Sequence, residues 1–219
     1  MKKNVLVTGA SGNLAEAFLE AVDFEKYTIN ATVREIKKQS DNINYHAVDI
    51  NDVNNAQNFV ENLLKSEDKV DAILFFVGSF AAGGIKETNK ELLEKMMAVN
   101  VYTSLNIIHP VLQHQNTKLH PIQLIFIGAK AALNSKNAVD FVAYALSKNM
   151  VVNLATIINA NSQETGVQAF TILPGTLDTA TNRKMMSNEN FDSWTKLESI
   201  TNTIFNILEA KQEMNTIEL

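Results

Sequence analysis

Tyr144 and Lys148 stand four residues apart in the stretch from Asp140 to Ala155. A helix turns once in about 3.6 residues, so a phenol and an ammonium at that spacing project from one face, one above the other. A lysine cation beside a phenol favours the phenolate and draws the Tyr pKa down from about 10, which makes the pair a proton donor and acceptor. The spacing alone is weak evidence and, taken by itself, reads as a solvated pair on an ordinary amphipathic helix. What decides between the two is the chemistry that other stretches bring to it.

The second such stretch is at the N-terminus. Asn4 to Thr8 is a short apolar, β-rich run, followed by Gly9-Ala-Ser-Gly12-Asn-Leu-Ala15 and then by a helical pattern from Glu16 to Val22. In this strand, glycine turn and helix, Gly9 permits the tight turn and Gly12 lets backbone approach a phosphate. The helix N-terminus offers free N–H groups and partial positive charge to that anion. Ala15 takes the third position of the dinucleotide fingerprint, where a small residue suffices for close helix–strand packing. A glycine turn that only connects two elements is the plain alternative.

Tyr27 to Val33 reads as the second strand, where a carboxylate would accept the ribose hydroxyl of NAD. Arg34 follows instead, with Lys37 and Lys38 close behind, a set suited to the 2′-phosphate of NADP(H). Glu35 weakens that charge, and NAD(H) is the lesser alternative. Asn44 to Ile50 is a third strand carrying Asp49 at its end, and residues 51–67 have helical spacing. The near-continuous apolar run from Val70 to Gly78 fits a strand buried on both faces. A flexible loop spans 79–84, and a long helical pattern runs from Thr88 to Gln115 with Asn100 among apolar neighbours. On its own Asn100 reads as a solvent-facing helix residue rather than a buried one.

Pro121 to Gly128 is a fifth strand and Val167 to Gly175 a sixth; Thr176 to Phe191 reads as a mobile loop over a site. Trp194 to Lys211 is a last amphipathic helix, and Asn215 to Leu219 is long enough only for an edge strand. The alternation predicts one domain, residues 1–219, a Rossmann-like doubly wound parallel sheet of about seven strands. Its binding crevice lies at the carboxyl ends of the strands.

Composition narrows the classes of function. A formal net charge of −5 argues against a general nucleic-acid binder. With no cysteine there is no thiolate nucleophile, and the four histidines lack paired ligand spacing, so no metal site is expected. No apolar run reaches signal-peptide or membrane-spanning length, and a cytoplasmic protein without membrane association is the expectation.

In the order of these motifs the chain resembles the short-chain dehydrogenase/reductase family over essentially its whole length. The stretch Thr8 to Ala15, with Gly9, Ser11, Gly12, Asn13 and Leu14, resembles the family's nucleotide turn. Asp49 and Ile50 resemble its adenine contact, Val77 and Gly78 the remnant of its Asn-Asn-Ala-Gly segment, and Pro174, Gly175 and Thr176 its turn after the sixth strand. The resemblance implies that Tyr144 and Lys148 are catalytic and also contact the cofactor. It implies too that Asn100 is a buried helix-four residue supporting a proton relay through Lys148, and that the chain pairs through the helices of 88–115 and 140–159 as a homodimer or homotetramer.

One departure matters. The family places a Ser after the fifth strand, about a dozen residues before the Tyr; here Ala129 and Ala131 flank Lys130, and the nearest hydroxyl is the displaced Ser135. Dihydropteridine reductases within the family share that absence, and residues 128–133, 173–179, 182–184 and 193–195 resemble theirs. The N-terminal half is less alike, since the animal-type members carry an acid where Val33 stands. The expected function is NADPH-dependent reduction of a small molecule, a quinonoid dihydropterin or a similar conjugated compound, with Tyr144 as proton donor. A general carbonyl reductase and a non-catalytic NADP-binding sensor are the alternatives.

Overall fold

The computed structural model describes all 219 residues, apart from the side chains of Ala132, Ser135 and Asn137; Ser135 as a substitute donor therefore lies outside the description. Seven strands form one sheet: β1 (Lys3–Thr8), β2 (Tyr27–Val33), β3 (Ile43–Ala47), β4 (Ala72–Phe75), β5 (Ile122–Ile127), β6 (Val167–Leu173) and β7 (Thr216–Glu218). All neighbouring pairs are parallel, in the order β3-β2-β1-β4-β5-β6-β7. The order reverses between β1 and β4, so the crevice opens at their carboxyl ends.

Alternation along each strand divides two cores. In β1, Val5 and Val7 face α1 (Asn13–Glu20) and α8 (Leu197–Leu208), where Phe18, Ile200 and Ile204 are buried. Leu6 faces the other layer, α2 (Val53–Glu67), α4 (Thr103–His114) and α5 (Val142–Asn159), where Phe59, Ile107 and Val151 are buried. Each such side chain contributes about 1.5–3 kcal/mol by leaving water, and together they hold the strand ends that carry the site.

Three details differ from the sequence expectation. The run from Val70 to Gly78 supplies only the four residues of β4, because its last residues leave the sheet to line the crevice. The long pattern from Thr88 is three pieces: α3 (Lys90–Met97), a π-helical turn over Ala98–Tyr102, and α4. The strict alternation of strand and helix also fails once: residues 34–42 join the parallel strands β2 and β3 without a helix, although such crossovers usually take one. That leaves a hollow of about 860 Å³ beside α1, bordered by Ser11, Arg34, Lys37 and Lys38. The shorter α6 (Ser162–Thr165) and α7 (Ala180–Met185) complete the chain, and among the described residues no helix is long and apolar enough to cross a membrane.

Candidate active site

Gly9 begins the crevice. Its φ of +70° is open to glycine, and a Cβ there would lie 2.8 Å from a Val77 side-chain carbon, so the turn packs directly on the chain leaving β4. Gly12 is different. It is the N-cap of α1 with an ordinary extended backbone and no side-chain cap, and a Cβ there would meet nothing closer than the Gly9 carbonyl at 3.5 Å. Neither backbone nor packing requires glycine at that exposed position. The space it keeps, in front of unsatisfied helix N–H groups, fits a phosphate of a dinucleotide.

From this turn a cavity of about 320 Å³ runs to the start of α5. It is lined by Gly12, Asn13 and Leu14 of the turn, Val77 and Gly78 after β4, Tyr144 and Lys148 of α5, and Pro174 and Gly175 after β6. Nine of the expected site residues thus meet in one space, although they come from four separate segments. Ser11 and Arg34 border the adjoining hollow instead. Asp49 is exposed and borders a third one, and its carboxyl is held low chiefly by hydrogen bonds from Asn51, with Arg34 adding a smaller pull. Ile50 is buried, its carbonyl accepting from Asn106 Nδ2 at 3.0 Å. Thr176 is exposed and accepts through its carbonyl from Thr195 N–H.

Asn100 is 3% exposed, as the family resemblance implied and contrary to its reading in isolation. It sits in the π turn, and its side chain accepts from Ser79 N–H at 2.8 Å and donates to the Ser79 carbonyl at 3.0 Å. A Cβ on Gly78 would lie 3.2 Å from Asn100 Oδ1 and 3.4 Å from Lys148 Nζ, so glycine here lets the amide and the ammonium approach one wall of the cavity.

The electrostatics of the pair differ from the sequence expectation. Burial pushes the Tyr144 phenol up to about 12 and the Lys148 ammonium down to about 8. Lys148 Nζ donates to the Ile127 carbonyl at 2.8 Å, and desolvation is what moves the phenol. Without a ligand, then, Tyr144 is a well-protonated acid rather than a poised phenolate. Lys148 has three donors and spends one on Ile127, which leaves two for a ribose hydroxyl or a phenolate.

Ala129, one of the two alanines at the place where the resemblance sets a Ser, is 7% exposed and lines the cavity. Aromatic rings surround Tyr144: Phe80 packs edge-on at 5.0 Å and Phe141 at 6.2 Å, and Phe80 is 60% exposed. Sequence reasoning missed both, because a Phe in a Gly/Ala loop and another before a helix carry no periodic signal. The 176–191 stretch is also more ordered than a loop. Thr179 caps α7 by accepting from Asn182 N–H, Arg183 grips Asp178 through bonds of 2.6 and 2.8 Å, and the guanidinium lies 4.9 Å from the Phe191 ring centre. Thr181 and Asn182 bring this segment to the cavity.

The chain matches the family model described as short chain dehydrogenase over residues 3–190. It belongs to that family, and is an NAD(P)H-dependent oxidoreductase of short-chain dehydrogenase/reductase type. It is 30% identical over 216 residues to a dihydropteridine reductase of Dictyostelium discoideum, covering 94% of this chain and 87% of that one. Among solved structures, ElxO with NADP bound superposes with a TM-score of 0.86 at 18% identity, covering 100% of this chain and 97% of the other. A short chain dehydrogenase family protein from Francisella tularensis gives 0.83 at 19% identity, with coverage of 100% and 97%. These likenesses carry the fold.

Proposed function

We propose that the protein is an NADPH-dependent reductase of a planar, conjugated small molecule, with a quinonoid dihydropterin as the substrate class. The observation that carries this reading is Ala129 in the cavity beside Tyr144. A ketone gathers negative charge on oxygen as it is reduced, and losing one donor aimed at that charge costs about 10²–10³ in rate. A quinonoid dihydropterin spreads the charge over its own ring, and one proton completes its reduction. Phe80 and Phe141 around the phenol suit a flat ring, and the similarity to a dihydropteridine reductase supports the same class.

NADP(H) is the proposed cofactor, and its reduced nicotinamide supplies the hydride. The residues around it do the rest. Gly12, Asn13 and Leu14 would hold phosphate, Ser11 and Arg34 the 2′-phosphate, Asp49 and Ile50 the adenine, and Val77, Gly78, Pro174, Gly175 and Thr176 would complete the cofactor's walls. Tyr144 donates its Oη proton to the substrate nitrogen as hydride arrives. Lys148 turns its free N–H groups to the ribose and to the phenolate left behind, and Asn100 supports the path that returns a proton through Lys148. For the assembly we propose a homodimer, with a homotetramer as its extension, through the exposed apolar side chains Leu105 and Leu112 of α4 and Leu146, Met150 and Ile157 of α5.

NADPH and NADH oxidation with quinonoid dihydropterin, quinones and simple ketones tests the reading. The expected result is pterin turnover favouring NADPH, with little on ketones. Tyr144→Phe should keep NADPH binding while turnover falls by about 10²–10⁴. Robust ketone turnover with none on the pterin would leave a general carbonyl reductase, and cofactor binding with no turnover would leave a sensor.

A further inference from the structure

Ser147 lies between the two residues proposed to run the reaction. It is 0% exposed, and its hydroxyl has two partners: it donates to the Tyr144 carbonyl at 2.7 Å and accepts from Asn100 Nδ2 at 2.9 Å. The direction of each bond is forced. Ser79 N–H can only donate, so it fixes Asn100 Oδ1, and Nδ2 must then face the Ser79 carbonyl and Ser147. With Nδ2 donating to it, the Ser147 hydroxyl turns its own proton to the Tyr144 carbonyl. A buried network satisfied at every member is rigid, whereas one that loses a member leaves a desolvated group unpaired.

This network joins three segments that the sequence keeps apart. One is the chain after β4, whose Val77 and Gly78 line the cavity and whose Phe80 meets the Tyr144 ring. The second is the π turn around Asn100. The third is the first turn of α5, which contains Tyr144 and whose N-cap, Phe141, makes no side-chain cap. The Ser147 bond to the Tyr144 carbonyl steadies that turn from the buried side. Lys148 follows directly, so the same contact sets where its ammonium leaves the helix.

We infer that Ser147 is a positioning residue: by holding Asn100 to the first turn of α5, it sets the Tyr144 phenol and the Lys148 ammonium against the cavity wall formed by residues 77–80. The inference rests on the reading of Tyr144 and Lys148 as the proton-transfer pair. Misplacing a reacting group by about 1 Å costs about 10² in rate, so a residue that touches no substrate can still govern turnover.

The test uses the full chain with Ser147→Ala and Ser147→Cys. NADPH affinity is read by nicotinamide fluorescence and kcat with quinonoid dihydropterin across the neutral and alkaline range. The Tyr144 phenol is titrated with NADP⁺ bound, by difference absorbance against Tyr144→Phe. Ser147→Ala should lower kcat about ten- to a hundredfold, hold NADPH affinity within about twofold, and move the Tyr144 titration to higher pH. Ser147→Cys keeps a weak donor and acceptor and should recover part of the loss. A folded Ser147→Ala protein with wild-type kcat and titration, and only a lower Tm, would overturn the inference. Should the unmodified protein turn over no pterin, the substrate reading fails on its own, and the titration, which needs no turnover, still decides the role of Ser147. If Ser147→Ala does not fold, the titration is read in Ser147→Cys, where an unshifted phenol overturns it.

Discussion

Lys148 shows how burial makes one side chain both useful and costly. Its ammonium titrates near 10.5 in the unfolded chain and at about 8 in the folded one, because the folded protein removes it from water. Between those values the unfolded chain binds more protons, so folding gains stability as pH rises through that window; below about 8 the full penalty, on the order of 3 kcal/mol, is present. Tyr144 acts in the opposite sense higher up, since its phenol ionises near 10 unfolded and at about 12 folded, which lowers stability as pH rises beyond about 10. Lys148→Met removes the first effect alone. The stability advantage of Lys148→Met over the unmodified protein, measured by urea unfolding, should shrink as pH is raised from neutral toward 10. An advantage that does not change with pH would mean the ammonium is solvated in the folded state.

At the scale of elements, α5 is anchored at both ends by side chains standing in for backbone. Near its start Ser147 and Asn100 hold the first turn. At its end Asn159 lies beside β6 like a short strand, donating to the Ala169 carbonyl at 2.7 Å and accepting from Ala169 N–H at 2.8 Å. The reason is the length of β7, which pairs only with Thr171–Leu173 and stops short of Ala169. Ala169 is fully buried, so Asn159→Ala would strand a peptide N–H and a carbonyl away from water. We expect a loss of about 2–3 kcal/mol in the free energy of unfolding, from two lost hydrogen bonds at roughly 1–1.5 kcal/mol each. Turnover at low temperature should be unchanged, because the anchor is three turns beyond Lys148. A loss below about 0.5 kcal/mol would mean that water replaces the amide.

At the scale of the whole molecule, the α4–α5 layer turns two faces outward. Leu105 and Leu112 are seven residues apart on α4, and Leu146, Met150 and Ile157 fall on one side of α5, all exposed in the single chain. The proposed pairing through these helices covers them. Sedimentation should give a mass about twice the 24.3 kDa of the chain, and Leu105→Glu combined with Ile157→Glu should return it to a monomer by burying like charges against an apolar partner. A monomer in the unmodified protein at micromolar concentration would remove this part of the proposal.

The parallel sheet, its seven strands and the glycine turn between β1 and α1 were legible in the chain itself. They rest on local rules, a buried apolar run for each strand, a small residue for each close approach, and a helix period between them. That Tyr144 and Lys148 share one face of a helix was legible for the same reason, as a matter of one helical turn. Other features depended on groups distant in sequence. Asn100 is buried because the chain after β4 presents both a donor and an acceptor to its amide, which no local pattern around residue 100 reports. Tyr144 is a weaker acid than its spacing from Lys148 suggested, since burial governs the phenol and Lys148 spends a donor on the Ile127 carbonyl. The missing helix between β2 and β3 escaped notice because a run of charged residues looks alike in a loop and on a solvated helix face. Helix period and strand alternation are properties of neighbours in the chain; the environment of a buried polar group is set by whichever segments the sheet happens to bring beside it.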